Sequence, residues 1–412
     1  MMTGHSRNLT SLDFLVLWMG AAISLAEIWA GGLLAPLGLT AGLAAIVLGH
    51  VIGNTPMALG GLIGSRHGVP AMVSTRAALG VHGSFLPAAL NCVQLVGWTA
   101  VMLWICGHTA AAVLPENAVL GARGWVLVAG AVTTAWTLTG HGLRRWLQRT
   151  AVLLLTMLSV LMTVIVFRRH ALSDLLALRP AGGLSFGQGL DLVIAMPISW
   201  LPLVSDYSRF ARNSRGAFWG TWWGYLLAGS WMYAVGLCAA LASGSPTPDR
   251  MVMDLMARTG WAGPALLIVV LSTVTTTFLD IYSNAVSARS MAPRLNERAL
   301  IVAGGVLGTL LAVFFPATEY EAFLLFIGAL FCPLFGVVLA DYFVIRRMRF
   351  GPTEPGVRGL AVIAWLAGWA IYRTASQLGW SLGASLPGLL GAAALYVALR
   401  KLVPAGERSG RP

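Results

Sequence analysis

The sequence predicts an all-α integral-membrane protein with about twelve transmembrane helices, and three observations carry that reading. Hydrophobic residues make up 57% of the 412-residue chain. Charged residues make up only 10%, where a soluble domain carries about 25%. Apolar runs of about 17–25 residues, the length that crosses a bilayer as a helix, recur between short polar connectors. Such a chain cannot hide its apolar side chains in one core, so lipid must solvate them. Lipid offers no partner to an unpaired backbone group and no period-2 alternation is visible, so each span is a helix and not a barrel strand.

Taken in order, the spans are read at 13–34, 39–63, 84–113, 125–140, 150–167, 190–210, 217–241, 261–288, 299–315, 322–345, 360–372 and 382–399. The eleventh is short. With the N-terminus inside, 20 of the 27 basic residues fall on the inner side, in groups such as Arg144, Arg145 and Arg149 or Arg346, Arg347 and Arg349. The positive-inside rule then puts both termini in the cytoplasm, which an odd number of spans would not allow. Lys401 is the only lysine among abundant arginines, a usage that fits a high-GC bacterium and its cytoplasmic membrane. The net charge of +12 is spread over short loops and forms no patch for nucleic acid. Cys92, Cys106, Cys238 and Cys332 all lie in apolar runs without metal-ligand spacing and read as small apolar residues. The polar stretch from Met1 to Thr10 and the long first run do not fit a cleavable signal.

The first and sixth spans share a peculiarity. The first carries Glu27 and then Gly31-Gly32; the sixth holds Pro197 and Pro202 on either side of Trp200. Proline removes a helical hydrogen bond and a glycine pair loosens the helix, so both spans should be interrupted. Broken spans at corresponding places of two halves point to a transporter's binding site at mid-membrane. The halves are offset by about 170 residues, which carries the third span, with Gln94 and Trp98, onto the eighth. There Thr276, Asp280, Ser283 and Ser287 recur at i, i+4, i+7 and i+11, a polar stripe that must face protein or water.

Among the acidic residues, only Glu27 and Asp280 fall well inside apolar runs. A central carboxylate costs about 2.5–3.5 kcal/mol on insertion scales, so each needs a proton, a cation or a polar ligand. Gln94 and Trp98, one turn apart, could present an amide and a stacking face to a flat ring, and Trp200 is a second stacking candidate. His50 and Asn54 read as packing contacts between helices. Gly183-Leu184-Ser185-Phe186-Gly187 matches a hydrolase elbow, but no strand precedes it and no histidine–acid partner is evident. HExxH, a P-loop lysine and acidic clusters for a metal are absent, so an intramembrane enzyme is a distant alternative. No filter loop or repeated charged ring supports an ion channel.

Pro197-Ile198-Ser199-Trp200 running into Ser205-Asp206-Tyr207-Ser208-Arg209-Phe210 resembles the sixth helix of the nucleobase:cation symporter-1 (purine/cytosine permease) family. Cys332-Pro333-Leu334-Phe335-Gly336 followed by Ala340-Asp341-Tyr342-Phe343 resembles its tenth. Residues 24–29, Gln94 to Thr99 and Thr277 to Asn284 are similar to the hydroxymethylpyrimidine transporters of that family. The resemblance implies the LeuT fold: a five-helix repeat over 13–167, an inverted one over 190–345, and two added helices over 360–399. It implies cation-coupled uptake of an aminopyrimidine, hydroxymethylpyrimidine (a thiamin precursor) first and cytosine or a purine second. The resemblance implies Trp98, Ser199, Asp280 and Asn284 as substrate residues, and with Glu27, Gln94 and Trp200 from the reading above they make up the expected substrate site. The implied cation site uses carbonyls near Leu25 and the hydroxyls of Thr276 and Thr277, for Na⁺ or H⁺, with no cofactor and no metal beyond that Na⁺. Pro197 stands where cytosine carriers have an aromatic residue, and Glu27 is an added acid.

Overall fold

The structure, a computed structural model, describes residues 7–113, 120–139, 182–243, 262–351 and 355–402, and between them 150, 152–157, 159, 160, 163, 164, 167 and 172–178. These residues are overwhelmingly helical. Six helices among them are long and apolar enough to cross a membrane by length and composition.

The first span is two helices. α1 (Ser11–Ala22) starts on a capping box in which the Thr10 hydroxyl takes the Asp13 N–H and the Asp13 carboxylate takes the Thr10 N–H. Ile23 and Ser24 then leave the helical region, and the Ser24 hydroxyl accepts from the Glu27 N–H at 3.2 Å to cap α2 (Leu25–Gly32). The break therefore precedes Glu27, and Gly31-Gly32 is not the interruption. Gly31 is there for close approach: a Cβ on it would lie 2.2 Å from the Tyr233 carbonyl oxygen, and one on Gly236 would lie 1.9 Å from that of Ile28. Small residues let helix backbones meet where lipid supplies no hydrophobic drive.

α3 (Gly38–His67) presents Gly49, Gly53 and Gly60 to the second broken span, where Val193, Pro197 and Leu201 fill the notches they leave. A short buried helix missing from the span reading, α4 (Ala71–Leu79), follows at the basic end of the bundle. α5 (Phe85–Val113) and α6 (Ala122–Thr137) come next; the described residues between 150 and 167 are helical, and α7 (Leu172–Ala177) is short.

α8 (Phe186–Trp200) keeps Pro197 inside it; the chain turns at 201–203, around Pro202, and resumes as α9 (Val204–Ser208). Ser185 is simply the N-cap of α8, bonded to the Gln188 N–H, which accounts for the hydrolase-like spelling around it. α10 (Ser214–Ser243), α11 (Ala262–Met291) and α12 (Glu297–Phe314) complete the second half together with α13 (Tyr320–Leu339), which widens into a π-helical turn over Ala340–Ile345. α14 (Gly359–Leu378) runs through Arg373 and is 20 residues long, so the eleventh span read as ending at 372 is a full-length helix. α15 (Ser385–Leu402) packs on α13 and α14.

The packing is exchanged between halves. α1 and α2 lie on α10, the helix after the second break, and α8 and α9 lie on α3, the helix after the first. α5 and α6 form a second layer with α11 and α12. This reciprocal exchange is the mark of an inverted repeat. Arg7, Arg76, Arg209, Arg346 and Arg358 gather at one end, where Arg346 pairs with Asp341 at 2.6 Å and Arg346 and Arg358 both donate to the Ala77 carbonyl. At the other end Asp191 of α8 accepts the Ala384 and Ser385 N–H groups at the start of α15.

Candidate functional site

The two breaks face each other across a small cavity in mid-bundle. Its walls include Ser24 and Glu27 from the first break, Trp98 from α5, Trp200 from the second, and Thr276 and Asp280 from α11. Five positions singled out in the sequence thus meet in one place: Glu27, Trp98, Trp200, Thr276 and Asp280. All are at most 7% exposed, so they meet in the interior of the bundle and not on its surface.

Polarity in the cavity is unevenly satisfied. The Tyr225 hydroxyl, from α10, donates to Glu27 Oε1 and accepts from Trp200 Nε1 at 3.0 Å. Glu27 Oε2 has no partner among the described residues, nor do the Thr276 and Thr277 hydroxyls. The Asp280 side chain makes no hydrogen bond or ion pair among the described residues, and no arginine, lysine or histidine lines the cavity. Two acids therefore face a mostly apolar space with no protein cation beside them. An arrangement like this awaits donors or positive charge from outside the protein.

The rings are held by one another. Trp98 meets Tyr320 and Phe323 edge-on, with centroids 6.1 and 5.4 Å apart. Tyr320 stacks on Trp29 at 4.5 Å and donates to the Ala26 carbonyl at 2.9 Å, tying α13 to α2. Trp200 meets Trp18 edge-on at 5.8 Å. Such pairs fix ring orientation, and both indoles also reach the cavity wall.

Other expected positions sit differently. Gln94 Nε2 is engaged by Asn91 Oδ1 and the Ser199 carbonyl, at 2.8 and 2.9 Å, so it braces α5 against α8 and does not line the cavity. The Ser199 hydroxyl donates back to the Met196 carbonyl. Asn284 Nδ2 donates to the Cys92 carbonyl, a contact between α11 and α5. Thr277 is fully buried beside the cavity and not on its wall. Leu25 opens α2, and the polar link from the break to α11 is made two residues earlier, where the Ser272 hydroxyl donates to the Ile23 carbonyl at 3.3 Å. Asn54 makes the expected contact between helices, with the Trp222 carbonyl of α10, whereas His50 bonds to the Ile46 carbonyl of its own helix and meets α10 through ring contacts with Tyr225 and Tyr233. Of the polar stripe on α11, Thr276 and Asp280 reach the cavity, while Ser283 meets Tyr207 and Ser287 meets Asn91.

The sequence reading did not single out Tyr225, whose partner Glu27 lies 198 residues away. The available signal was faint: a lone tyrosine in the Trp-rich start of α10.

Comparison with known proteins supplies the family. Residues 2–353 match the family described as permeases for cytosine/purines, uracil, thiamine and allantoin. The cytosine permease of Escherichia coli (strain K12) is 27% identical over 350 residues, covering 82% of this chain and 78% of that protein. The allantoin permease of Bacillus subtilis (strain 168) is 26% identical over 326 residues, covering 69% and 64%. Among solved structures, Mhp1, a nucleobase-cation-symport-1 family transporter in a closed conformation with bromovinylhydantoin bound, superposes with a TM-score of 0.84 at 19% identity, over 96% of this chain and 93% of that one. A Na⁺-coupled sialic acid symporter superposes with a TM-score of 0.72 at 14% identity, over 96% and 90%. The cavity at two facing helix breaks is thus housed in a LeuT-type fold, and the chain belongs to the nucleobase-cation-symport-1 family of membrane permeases.

Proposed function

We propose that the protein imports an aminopyrimidine together with a cation, hydroxymethylpyrimidine being the first choice. The observation that carries this reading is the single cavity walled by Trp98, Trp200, Glu27 and Asp280. Two indoles can hold a flat ring, and the free Oε2 of Glu27 and the carboxyl of Asp280 ask for donors at its edges. An exocyclic amine and a protonated ring nitrogen supply them, whereas an amino acid offers a carboxylate that both acids would repel. The relatives' named ligands, cytosine, allantoin and a hydantoin, are flat nitrogen heterocycles too.

Cytosine is the second reading, favoured by the E. coli relative. Against it stand Glu27 and Pro197, the two departures noted from cytosine carriers.

The coupling cation would sit where the first break meets α11, using backbone carbonyls near Ile23 and Leu25 and the unpartnered hydroxyls of Thr276 and Thr277. Hydroxyl and carbonyl oxygens suit Na⁺; Asp280 or Glu27 could instead carry a proton. The basic end of the bundle would face the cytoplasm of a bacterial cell, with both termini inside.

The deciding experiment is uptake of labelled hydroxymethylpyrimidine and cytosine by cells lacking other carriers, with and without Na⁺. Saturable hydroxymethylpyrimidine uptake that cytosine competes for weakly is the expected result. Uptake of neither ring would overturn the reading.

A further inference from the structure

The chain Trp200–Tyr225–Glu27 has a direction. An indole N–H can only donate, so Trp200 Nε1 occupies a lone pair of the Tyr225 hydroxyl, 3.0 Å away. The hydroxyl proton then needs an acceptor, and among the described residues the one within reach is Glu27 Oε1. Glu27 must therefore accept at Oε1, and Oε2, buried and without a partner, is the oxygen left for the cavity. Tyr225 is 0% exposed and Trp200 7%, so no bulk water competes for either bond.

We infer that Tyr225 is a specificity-determining positioning residue: held by Trp200, it fixes which oxygen of Glu27 meets the substrate and so selects a donor edge, an amine, over a carbonyl. This rests on the proposed function and deepens it. Trp200 also lines the cavity, so the ring that stacks on it and the acceptor that reads the ring's edge are placed by one indole.

The direction makes an unusual demand on the Glu27→Gln variant. Tyr225 still has only its proton to give, so it takes the amide oxygen and turns the amide NH₂ into the cavity. An acceptor becomes a donor in the same place, and the preference for an amine should reverse rather than fade. A carboxyl with free choice of rotamer would give no reversal.

The test uses full-length protein in lipid nanodiscs, titrated with hydroxymethylpyrimidine and with its 4-oxo analogue, which has a carbonyl where the amine stands. Wild type should prefer the amine by about tenfold or more, the worth of one buried hydrogen bond against an unpaired group. Glu27→Gln should prefer the 4-oxo ligand. In Glu27→Gln combined with Tyr225→Phe the amide can turn either way, and the ratio of the two dissociation constants should approach one. Wild-type amine preference with a Glu27→Gln variant that weakens both ligands alike would overturn the relay and leave the substrate class standing. A wild type that binds neither ring would overturn the proposed function itself. If Glu27→Gln does not reach the membrane, Tyr225→Phe alone decides: the preference shrinks if Tyr225 positions Glu27, and an unchanged ratio refutes it.

Discussion

Asp191 offers the sharpest test of how the bundle is held together. It sits in the second turn of α8 and accepts the backbone N–H of Ala384, at 2.9 and 2.7 Å, and of Ser385, at 2.8 Å. The carboxylate thus serves a helix start almost two hundred residues away. Asp191, Ala384 and Ser385 are 4%, 0% and 1% exposed, so water cannot replace it. Asp191→Ala would leave two buried N–H groups unpaired, at about 1–3 kcal/mol each. It would also remove a negative charge from the positive end of α15, worth up to about 2 kcal/mol when partly buried. Because an unfolded state still in the membrane finds other partners, measured values run low in such proteins. We therefore expect a loss of about 3 kcal/mol for Asp191→Ala and about half that for Asp191→Asn, which keeps one acceptor. Reversible unfolding of purified protein in mixed micelles measures both. An alanine variant within about 0.5 kcal/mol of wild type, the range of an ordinary surface change, would refute the argument.

Asp280→Asn keeps shape and loses charge, so it should insert normally and transport almost nothing; normal uptake, or loss of the protein from the membrane, would sink its assignment to the transport site. Trp98→Ala should weaken ring ligands alike by about tenfold in equilibrium binding, since stacking does not read the ring's edge; a selective effect on one ligand would contradict that. Gly236→Leu should abolish uptake and destabilise the protein, because even its Cβ would lie 1.9 Å from the Ile28 carbonyl oxygen, and recovery of wild-type melting would refute that close approach. Cysteines placed at Arg212 and Arg347 should resist impermeant thiol reagents added outside the cell, whereas one at Ser173 should react; the opposite pattern would reverse the proposed orientation.

The broad architecture was legible because hydropathy and helix breakers act over many positions at once. The candidate site was legible where an isolated polar or charged residue stood out against an apolar run, as do Glu27 and Asp280, which the fold brings to one cavity. Details that depend on a partner far away in the chain were not. Gly31-Gly32 looks like a weak point in a helix, yet the break lies at Ile23-Ser24, and the glycines serve contact with Tyr233 and its helix. The signal for the true break was Ser24 followed three residues later by Glu27, an N-cap spelling inside an apolar run. Gln94 and Trp98 share a helix face by spacing, but Asn91 and the Ser199 carbonyl claim the amide and only the indole reaches the cavity. α4 escaped notice because nine residues with one arginine are neither long enough nor apolar enough to read as a span. The eleventh span looked short since Arg373 and Gln377 lower its hydropathy while the helix continues through them.

The notches along α3 bear on how such a molecule can move. Val193, Pro197 and Leu201 sit in gaps left by Gly49, Gly53 and Gly60, side chain into hollow, as teeth sit in a rack. Teeth seated this way oppose slippage, because sliding by even part of a residue drives a branched carbon into backbone. α3 and α8 must then travel together, carrying the cavity wall at Trp200 with them. The exchange of packing between halves adds α1, α2 and α10 to the same body. The same body also meets α5 and α11, and those two helices carry Trp98, Thr276 and Asp280. On the proposed function, a molecule bound between that body and those two helices would feel any motion at their joint directly, with no linkage needed to relay it.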